Sequence, residues 1–170
     1  MNQVDDMKIL NFLAQTKILW CTFSMTLCLT IIFGIVMHFE GFGIIDEMFI
    51  ADDIRKHIDA MSPRQRSIHA WLTGTIDVLY PFAYGAFFVG VAIKCFGRYG
   101  VLLAIPSILV IPADLTEGLS QIMLLNGQDA FMDLKLIATP IKLVLYIFGL
   151  CITILGLLLA FKRRFKTTKL

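Results

Sequence analysis

"IHAWLTGTIDVLYPFAYGAFFVGVAIKCF", residues 68–96, has the length and composition of a membrane-spanning helix. It is apolar over most of its length, and it exceeds the roughly 20 residues that a helix needs to cross a hydrocarbon core of about 30 Å. It nevertheless contains Asp77, one turn before Pro81. A carboxyl group inside a membrane-spanning helix is costly and tends to face the interior of a bundle. The stretch therefore predicts a spanning helix that contributes to a buried polar site.

The composition of the whole chain predicts an integral membrane protein. Of its 170 residues, 58% are hydrophobic and 16% are charged, and the mean hydropathy is +0.78. These values exclude a soluble domain with a hydrated surface. Strand-type alternation is absent, so the spanning segments should be helices. We predict an all-α fold, an integral membrane four-helix bundle in one domain over residues 1–170. The predicted spans are at about residues 18–39, 68–96, 101–125 and 137–161.

Charged residues are distributed unevenly between the two sides of this predicted bundle. Lys8 and Lys17 precede the first span, and bases predominate around the turn near residue 98 and in the tail, residues 162–170. Acids outnumber bases in residues 40–67 and 126–135. The positive-inside rule then places both the N- and the C-terminus in the cytoplasm. The basic tail indicates contact with anionic membrane lipids and not with nucleic acid.

The longest connecting segment has its own helical pattern. Ile45, Ile54, Ile58 and Met61 recur at helical spacing, and charged side chains fill much of the remaining circumference. This pattern predicts an amphipathic helix over about residues 45–61, which lies at the outer interface and roofs part of the bundle. The alternative is a solvated helix that packs only on the neighbouring loop.

Four charged side chains fall inside the predicted spans, namely Asp77, Asp114, Glu117 and Lys142. Each costs about 2.5–3.5 kcal/mol at the centre of a spanning helix. At 1.5 Å of rise per residue, all four lie roughly 6–13 Å below the outer boundary of the membrane. Because they come from three different spans, this agreement in depth predicts one polar site in the outer half of the bundle.

Further polar residues follow the same helix faces at steps of three or four residues. We interpret Asp77, Asp114 and Glu117 as candidate catalytic residues, acting as acid, base or counter-ion. Three polar faces that meet in one bundle predict a cavity or a hydrogen-bond network. The candidate ligand-binding residues are Tyr80, Tyr84, Lys142, Thr139, Gln121 and Tyr146.

The predicted site contains more acids than bases. If all four groups were ionised, three carboxylates would face one ammonium group in a medium of low dielectric. We expect relief by protons on the carboxyls, by a cation, by an amine ligand or by water. Such carboxyls can divide acid and base duties, and they also suit proton or cation binding. The structural alternative is a buried network, Asp77 or Asp114 with Lys142, that only fixes the register of the helices.

The sequence predicts no metal and no cofactor. The histidines His38, His57 and His69 lack the spacing of metal ligands, and His69 is interpreted as an interfacial residue. The four cysteines contain no C-x-x-C pair. Neither a disulfide framework nor a thiol oxidoreductase is therefore indicated.

The segments TIDVLYPFAYG, IPADLTEG and ATPIK resemble the pattern D-x-x-Y-P-x-x-Y-G, D-x-x-E and T-x-x-K of a group of small bacterial four-span membrane proteins without an established activity. The resemblance covers residue 66 to about residue 162, and it implies a multi-pass protein of the bacterial inner membrane. In that group an asparagine often follows the glutamate, where this chain has Gly118.

In layout alone, the chain is also similar to the emopamil-binding (EXPERA) family. That similarity implies a cavity that accepts sterols or amines, with Asp77, Asp114 and Glu117 as the matching carboxylates. It rests on the long first outer loop and on the acid and proline of the second span, and on no specific motif.

The sequence leaves three functions open. The first is a site that binds or transforms a small lipid-soluble molecule in the outer half of the bundle. The second is a proton- or cation-coupled transporter or its subunit, and the third is a structural partner of a larger membrane complex. The expected partners are membrane lipids, a hydrophobic small-molecule ligand, and a second membrane protein or further copies of this chain. Whether the protein is an enzyme stays open.

Overall fold

The structure is a computed structural model that describes residues 3–167 of the chain and the side chains of residues 8–164. Within these residues the fold is all-helical, without a strand, which confirms the predicted all-α class. The end of the predicted basic tail, residues 168–170, lies outside the described residues. The helices are α1 (Gln3–Leu13), α2 (Thr16–Glu40), α3 (Ala51–Ala60), α4 (Pro63–Leu72), α5 (Val78–Phe96), α6 (Gly100–Leu125) and α7 (Met132–Thr167).

Three helical segments are long and apolar enough to cross a membrane, namely Thr16–Glu40, Pro63–Leu125 and Asp129–Arg164. The second segment turns back on itself at a short 3-10 turn, Gly97–Tyr99. Two contacts show that its two arms pack side by side. The hydroxyl of Tyr84 in α5 donates to Asp114 in α6, and the backbones approach so closely that a Cβ added to Gly85 would touch the carbonyl oxygen of Ser107. The arms are therefore antiparallel neighbours.

The first arm is irregular where its polar residues begin. Helix α4 continues into a π-helical turn, Thr73–Asp77, and α5 starts at Val78. Pro81 has no N–H to donate to the carbonyl group of Asp77, one turn earlier. The wide turn and the proline loosen the hydrogen-bond ladder on both sides of Asp77. Turns of this π type recur at functional sites.

The turn between α5 and α6 depends on a close backbone approach at Gly100. A Cβ added there would lie 2.7 Å from the carbonyl oxygen of Ala92 and 2.7 Å from the Cα of Ile93. Because both contacts are with backbone, the Gly100→Ala variant must move one helix. We expect it to lower the free energy of unfolding by roughly 1–3 kcal/mol, measured as thermal unfolding in detergent.

Gly74→Ala is the matched control for this variant. A Cβ at Gly74 would make an ordinary contact, 3.5 Å from Cδ1 of Ile122, so we expect it to leave stability unchanged or to raise it slightly. Equal unfolding temperatures for the two variants would contradict the close approach at Gly100.

Helix α3 packs across the end of the fold where α4 and α6 end and α7 begins. Its buried Ile54 and Ile58 pack in an apolar cluster with Leu72 of α4, Leu124 of α6 and Met132 of α7. This packing agrees with the predicted roof and not with a helix that touches only its neighbouring loop.

The roof helix is shorter than predicted. It spans Ala51–Ala60, whereas the apolar pattern predicted a helix over residues 45–61. The residues before it leave the helical path because Ile45 is fully buried and Asp46 binds a lysine of α7 at 3.0 Å. We name residues 41–50 the strap, since this segment runs over the end of the helices and inserts both side chains.

Candidate functional site

Lys142 of α7 is the centre of the polar site. Its Nζ lies 2.8 Å from Oδ1 of Asp114, 2.6 Å from Oε2 of Glu117 and 3.0 Å from Oδ2 of Asp46. The structure therefore brings together three of the four charged residues that the sequence singled out, Asp114, Glu117 and Lys142. Asp46 joins them from the strap, and the sequence analysis did not include it.

Glu117 of α6 is fully held by its neighbours. Lys135 donates to its Oε1 at 2.7 Å, Thr139 donates to the same oxygen at 2.6 Å, and Lys142 donates to its Oε2. Glu117 and Lys135 are 1% and 0% exposed, so water does not screen this pair. With both of its oxygens occupied, Glu117 acts as an anchor between α6 and α7.

Asp114 joins the charges to a group of tyrosines. The hydroxyl of Tyr84 donates to Oδ2 of Asp114 at 2.7 Å, while Lys142 occupies the other oxygen. The Tyr84 ring meets the rings of Tyr80 and Tyr146 edge-on, each with a centroid distance of 5.2 Å. We name these three tyrosines the aromatic floor.

Asp77 differs from the other carboxyls because the described part of the chain offers it no hydrogen bond and no ion pair. It comes from the end of the π-helical turn, where the backbone is irregular. Its side chain lines the same cavity as Asp114 and Lys142. Asp77 is thus the carboxyl within the helices that is open to a ligand. Glu47 of the strap lines the cavity as well, and in the described residues it is exposed and also has no hydrogen bond or ion pair.

The polar site contains more carboxyl groups than ammonium groups, as the sequence predicted. Four carboxyls, those of Asp46, Asp77, Asp114 and Glu117, face the two ammonium groups of Lys135 and Lys142. Fully ionised, the site keeps an excess of two negative charges, as the three carboxyls and one lysine of the sequence analysis also did. A positively charged group in the cavity would offset part of this excess.

Asp46 is the carboxyl of this group that lies outside the spanning segments. Burial acts to raise its pKa, but the ammonium groups of Lys142 and Lys135 outweigh burial and hold the pKa below its ordinary value. Asp46 is therefore ionised at neutral pH. Its Oδ2 faces Lys142, and its buried Oδ1 has no hydrogen-bond partner among the described residues.

Asp46, Asp77, Asp114 and Lys142 line one cavity of about 760 Å³, which is within the usual size range for sites that bind small molecules. The cavity is polar towards the strap, where Asp46, Asp77, Asp114 and Lys142 lie. Its other walls are apolar and aromatic. They include Leu29, Phe33 and Met37 of α2, Ile44 and Phe49 of the strap, Leu143 of α7 and the aromatic floor.

The cavity lies between two helices, α2 and α7, that both contribute to its wall. Helix α2 packs along α5, and α7 packs along α5 and α6, but over the described residues α2 and α7 do not pack along each other. Both helices nevertheless contribute to the cavity wall, Gly34 from α2 and Leu143 from α7, and both of these residues are exposed. We name this gap the side opening.

A second, smaller cavity of about 180 Å³ lies between the π-helical turn and α6. Asp77 and Asp114 line it as well, so they separate the two cavities. Gly118 also lines the smaller cavity, and a Cβ added there would lie 3.8 Å from Oδ2 of Asp77. The missing side chain at Gly118 is one reason why Asp77 has space on this side.

Not every predicted residue faces the main cavity. Tyr80, Tyr84, Thr139, Lys142 and Tyr146 line it. Glu117 is absent from its wall because it is enclosed by the lysines, and Gln121 is absent because its amide nitrogen lies 2.9 Å from Nε2 of His69. The structure thus separates Gln121 from the tyrosines and aspartates with which it was grouped.

His69, which we interpreted as an interfacial residue, is enclosed by the fold. It is fully buried, and its ring stacks on Phe42 of the strap with a centroid distance of 4.7 Å. The strap covers His69, and a helical pattern in α4 alone does not reveal this cover.

Two site residues escaped the sequence analysis. Asp46 lies in a non-helical strap, where no periodicity marks an inward-facing side chain. Lys135 precedes the predicted fourth span and looked like part of a hydrated turn. A signal for Lys135 was available, because Lys135, Thr139 and Lys142 follow one face of a helix at steps of four and three residues.

Among the described residues, no group of three or more His, Cys, Asp or Glu side chains is arranged to hold a metal ion. Comparisons of the chain with models of protein families, with curated proteins and with solved structures found no match.

Proposed function

We propose that the chain is a multi-pass protein of the bacterial inner membrane that binds, or binds and transforms, a small lipid-soluble molecule with a positively charged group. In this proposal α2, the continuous α4–α5 arm, α6 and α7 cross the membrane separately as a four-helix bundle. Both termini lie in the cytoplasm, and the polar site lies in the outer half beneath α3.

One observation carries the proposal. Asp77 presents a carboxyl without a partner to a cavity that also contains an excess of negative charge. A carboxylate at membrane depth is costly unless it is protonated or paired. A cationic ligand supplies the missing partner, and the apolar walls receive the rest of the molecule.

The polar groups have separate duties in this proposal. Asp77 contacts the charged group of the ligand, and Asp114 is the other carboxyl from the helices that lines the cavity, besides Asp46 and Glu47 of the strap. Lys142 offsets the negative charge of Asp114, because its ammonium group donates to one carboxylate oxygen, and the hydroxyl of Tyr84 holds the other oxygen. If the ligand is transformed, Asp77 and Asp114 are the acid and base, since both line the cavity.

A structural role is the second candidate, and a specific observation favours it for one part of the site. Glu117, Lys135 and Thr139 satisfy one another and do not require a ligand. This network fixes the register of α6 against α7. The structural reading thus fits Glu117, whereas it leaves Asp77 without an explanation.

Three dodecyl probes test the proposed charge preference. Dimethyldodecylamine, dodecanol and dodecanoate share a chain, and at neutral pH they carry a positive charge, no charge and a negative charge. We expect the amine to raise the unfolding temperature of the purified protein most. A ligand at about 100 times its Kd adds about 2.7 kcal/mol to the free energy of unfolding.

Dodecanol is the matched control for insertion of the chain, and dodecanoate is the control for charge. All three should be compared in the same detergent at the same concentration. Equal shifts for the three probes would mean that only the chain is recognised, and the proposal of a cationic ligand would then be wrong.

A further inference from the structure

The shape of the main cavity limits where the chain of a bound amphiphile can lie. The polar groups are at the strap end, and the aromatic floor closes the other end. From Asp77 to Tyr84 the helix advances by about seven residues, roughly 10 Å. Beyond Tyr84, Phe88 packs against both Tyr84 and Tyr146 at centroid distances of 5.6 Å. A longer chain therefore cannot continue downwards inside the helices.

The side opening provides another path. The strap closes the polar end through Asp46, which binds Lys142. On the side of α2 and α7, however, the two helices do not pack along each other in the described part of the chain. The cavity wall there includes the exposed residues Gly34 and Leu143. A chain can lie along the apolar face of α2, next to Phe33, and leave between the two helices.

Gly34 leaves space in the wall of this opening, because it has no side chain. It is exposed, it lines the cavity, and a Cβ added to it would meet no atom within 4 Å. In contrast to Gly90, Gly100 and Gly149, it makes no close helix contact that would explain the glycine. The open space beside Gly34 belongs to the passage between the cavity and the membrane.

We infer that the ligand is an amphiphile of the surrounding membrane that enters sideways between α2 and α7 past Gly34, so that its chain stays in the opening while its charged group reaches Asp77. This inference rests on the proposed function and adds to it the substrate class and the route of entry. The site then accepts chains that exceed the depth of the cavity.

The test compares two amines on three forms of the full-length protein. The short probe is dimethylhexylamine, which fits within the cavity, and the long probe is dimethylhexadecylamine, which must extend through the side opening. Kd is measured for the wild type, for Gly34→Trp and for Gly34→Ala in one detergent. The ratio of the Kd of each variant to that of the wild type cancels the partition of each probe into the micelle.

We expect Gly34→Trp to raise the Kd of the long amine at least about 10-fold, a change of about 1.4 kcal/mol, and to raise that of the short amine less than about 3-fold. Gly34→Ala should leave both values near those of the wild type. Ile35→Trp is the matched control, because Ile35 is exposed on the same helix but does not line the cavity.

Three outcomes are informative. A selective loss of the long amine in Gly34→Trp supports the side opening. Equal ratios for the two amines, or a loss in Ile35→Trp of the same size as in Gly34→Trp, would overturn it while leaving the proposed function intact. If neither amine binds the wild type, the proposed function is wrong and the inference fails with it.

Discussion

Glu117→Gln is expected to lower the free energy of unfolding by roughly 3–5 kcal/mol, the usual cost of removing one partner from a buried ion pair. Glu117 accepts hydrogen bonds from Lys135, Thr139 and Lys142. Lys142 keeps Asp46 and Asp114 as partners after the change, but Lys135 keeps no carboxylate within the described contacts. A buried ammonium group without a counter-charge accounts for the loss, which can be measured by unfolding the protein in detergent.

Two control variants isolate the ion pair as the cause. Glu40→Gln removes the same chemical group from a pair with the exposed Arg64, and we expect it to cost less than about 1 kcal/mol. The double variant Glu117→Gln with Lys135→Met removes both charges and should recover much of the lost stability. If Glu117→Gln is no more destabilising than Glu40→Gln, Glu117 is not an anchor.

Asp77→Asn has a different expected effect, because Asp77 holds no partner in the described structure. We expect the variant to raise the Kd for dimethyldodecylamine by about 10- to 100-fold. This range corresponds to the roughly 1.5–3 kcal/mol that a hydrogen bond to a charged group contributes. Stability without ligand should stay within about 1 kcal/mol of the wild type, because no ion pair or hydrogen bond is lost.

Asp133→Asn serves as the matched control for Asp77→Asn. Asp133 is an exposed aspartate in the first turn of α7, and its replacement should leave the affinity for the amine unchanged. Asp77→Glu keeps the charge and should retain part of the affinity. Loss of binding in Asp133→Asn, or full binding in Asp77→Asn, would remove Asp77 from the site.

The central part of the polar site was accessible from the sequence because the membrane makes charge informative. A charged residue in a spanning helix must face inwards, and its position along the helix gives its depth. For Asp114, Glu117 and Lys142 these two rules predicted one shared site, and in the structure Lys142 contacts both carboxylates directly. They could not predict which carboxyl is satisfied, because that depends on how α6 faces α7.

The parts that were missed lie outside the helical pattern. Asp46 belongs to the strap, and its inward direction depends on contact with Lys142, which is distant in sequence. The same strap shortens the predicted roof helix, because the burial of Ile45 competes with the continuation of α3. Hydrophobic periodicity detects both a helix and a buried non-helical segment, so it could not separate the two.

The cavity itself was predicted only as a consequence of three polar faces meeting. Its apolar wall, and the absence of packing of α2 along α7 in the described residues, depend on tertiary contacts that the residue pattern of α2 does not contain. Gly34 illustrates this limit. In the sequence it is one glycine within an apolar helix, and only its position beside the side opening distinguishes it.

The most direct test of the central claim, that Asp77 binds a cationic lipid-soluble molecule, is mass spectrometry of the molecules that co-purify with the protein. Wild type, Asp77→Asn and Asp133→Asn should be prepared from the same membranes, and the unfolding temperature of each should be recorded. We expect an amine-containing molecule to be bound to the wild type and to Asp133→Asn and to be absent from Asp77→Asn. After the bound molecule is removed from the wild type, the three proteins should unfold at similar temperatures. An identical set of bound molecules in all three proteins would contradict the claim.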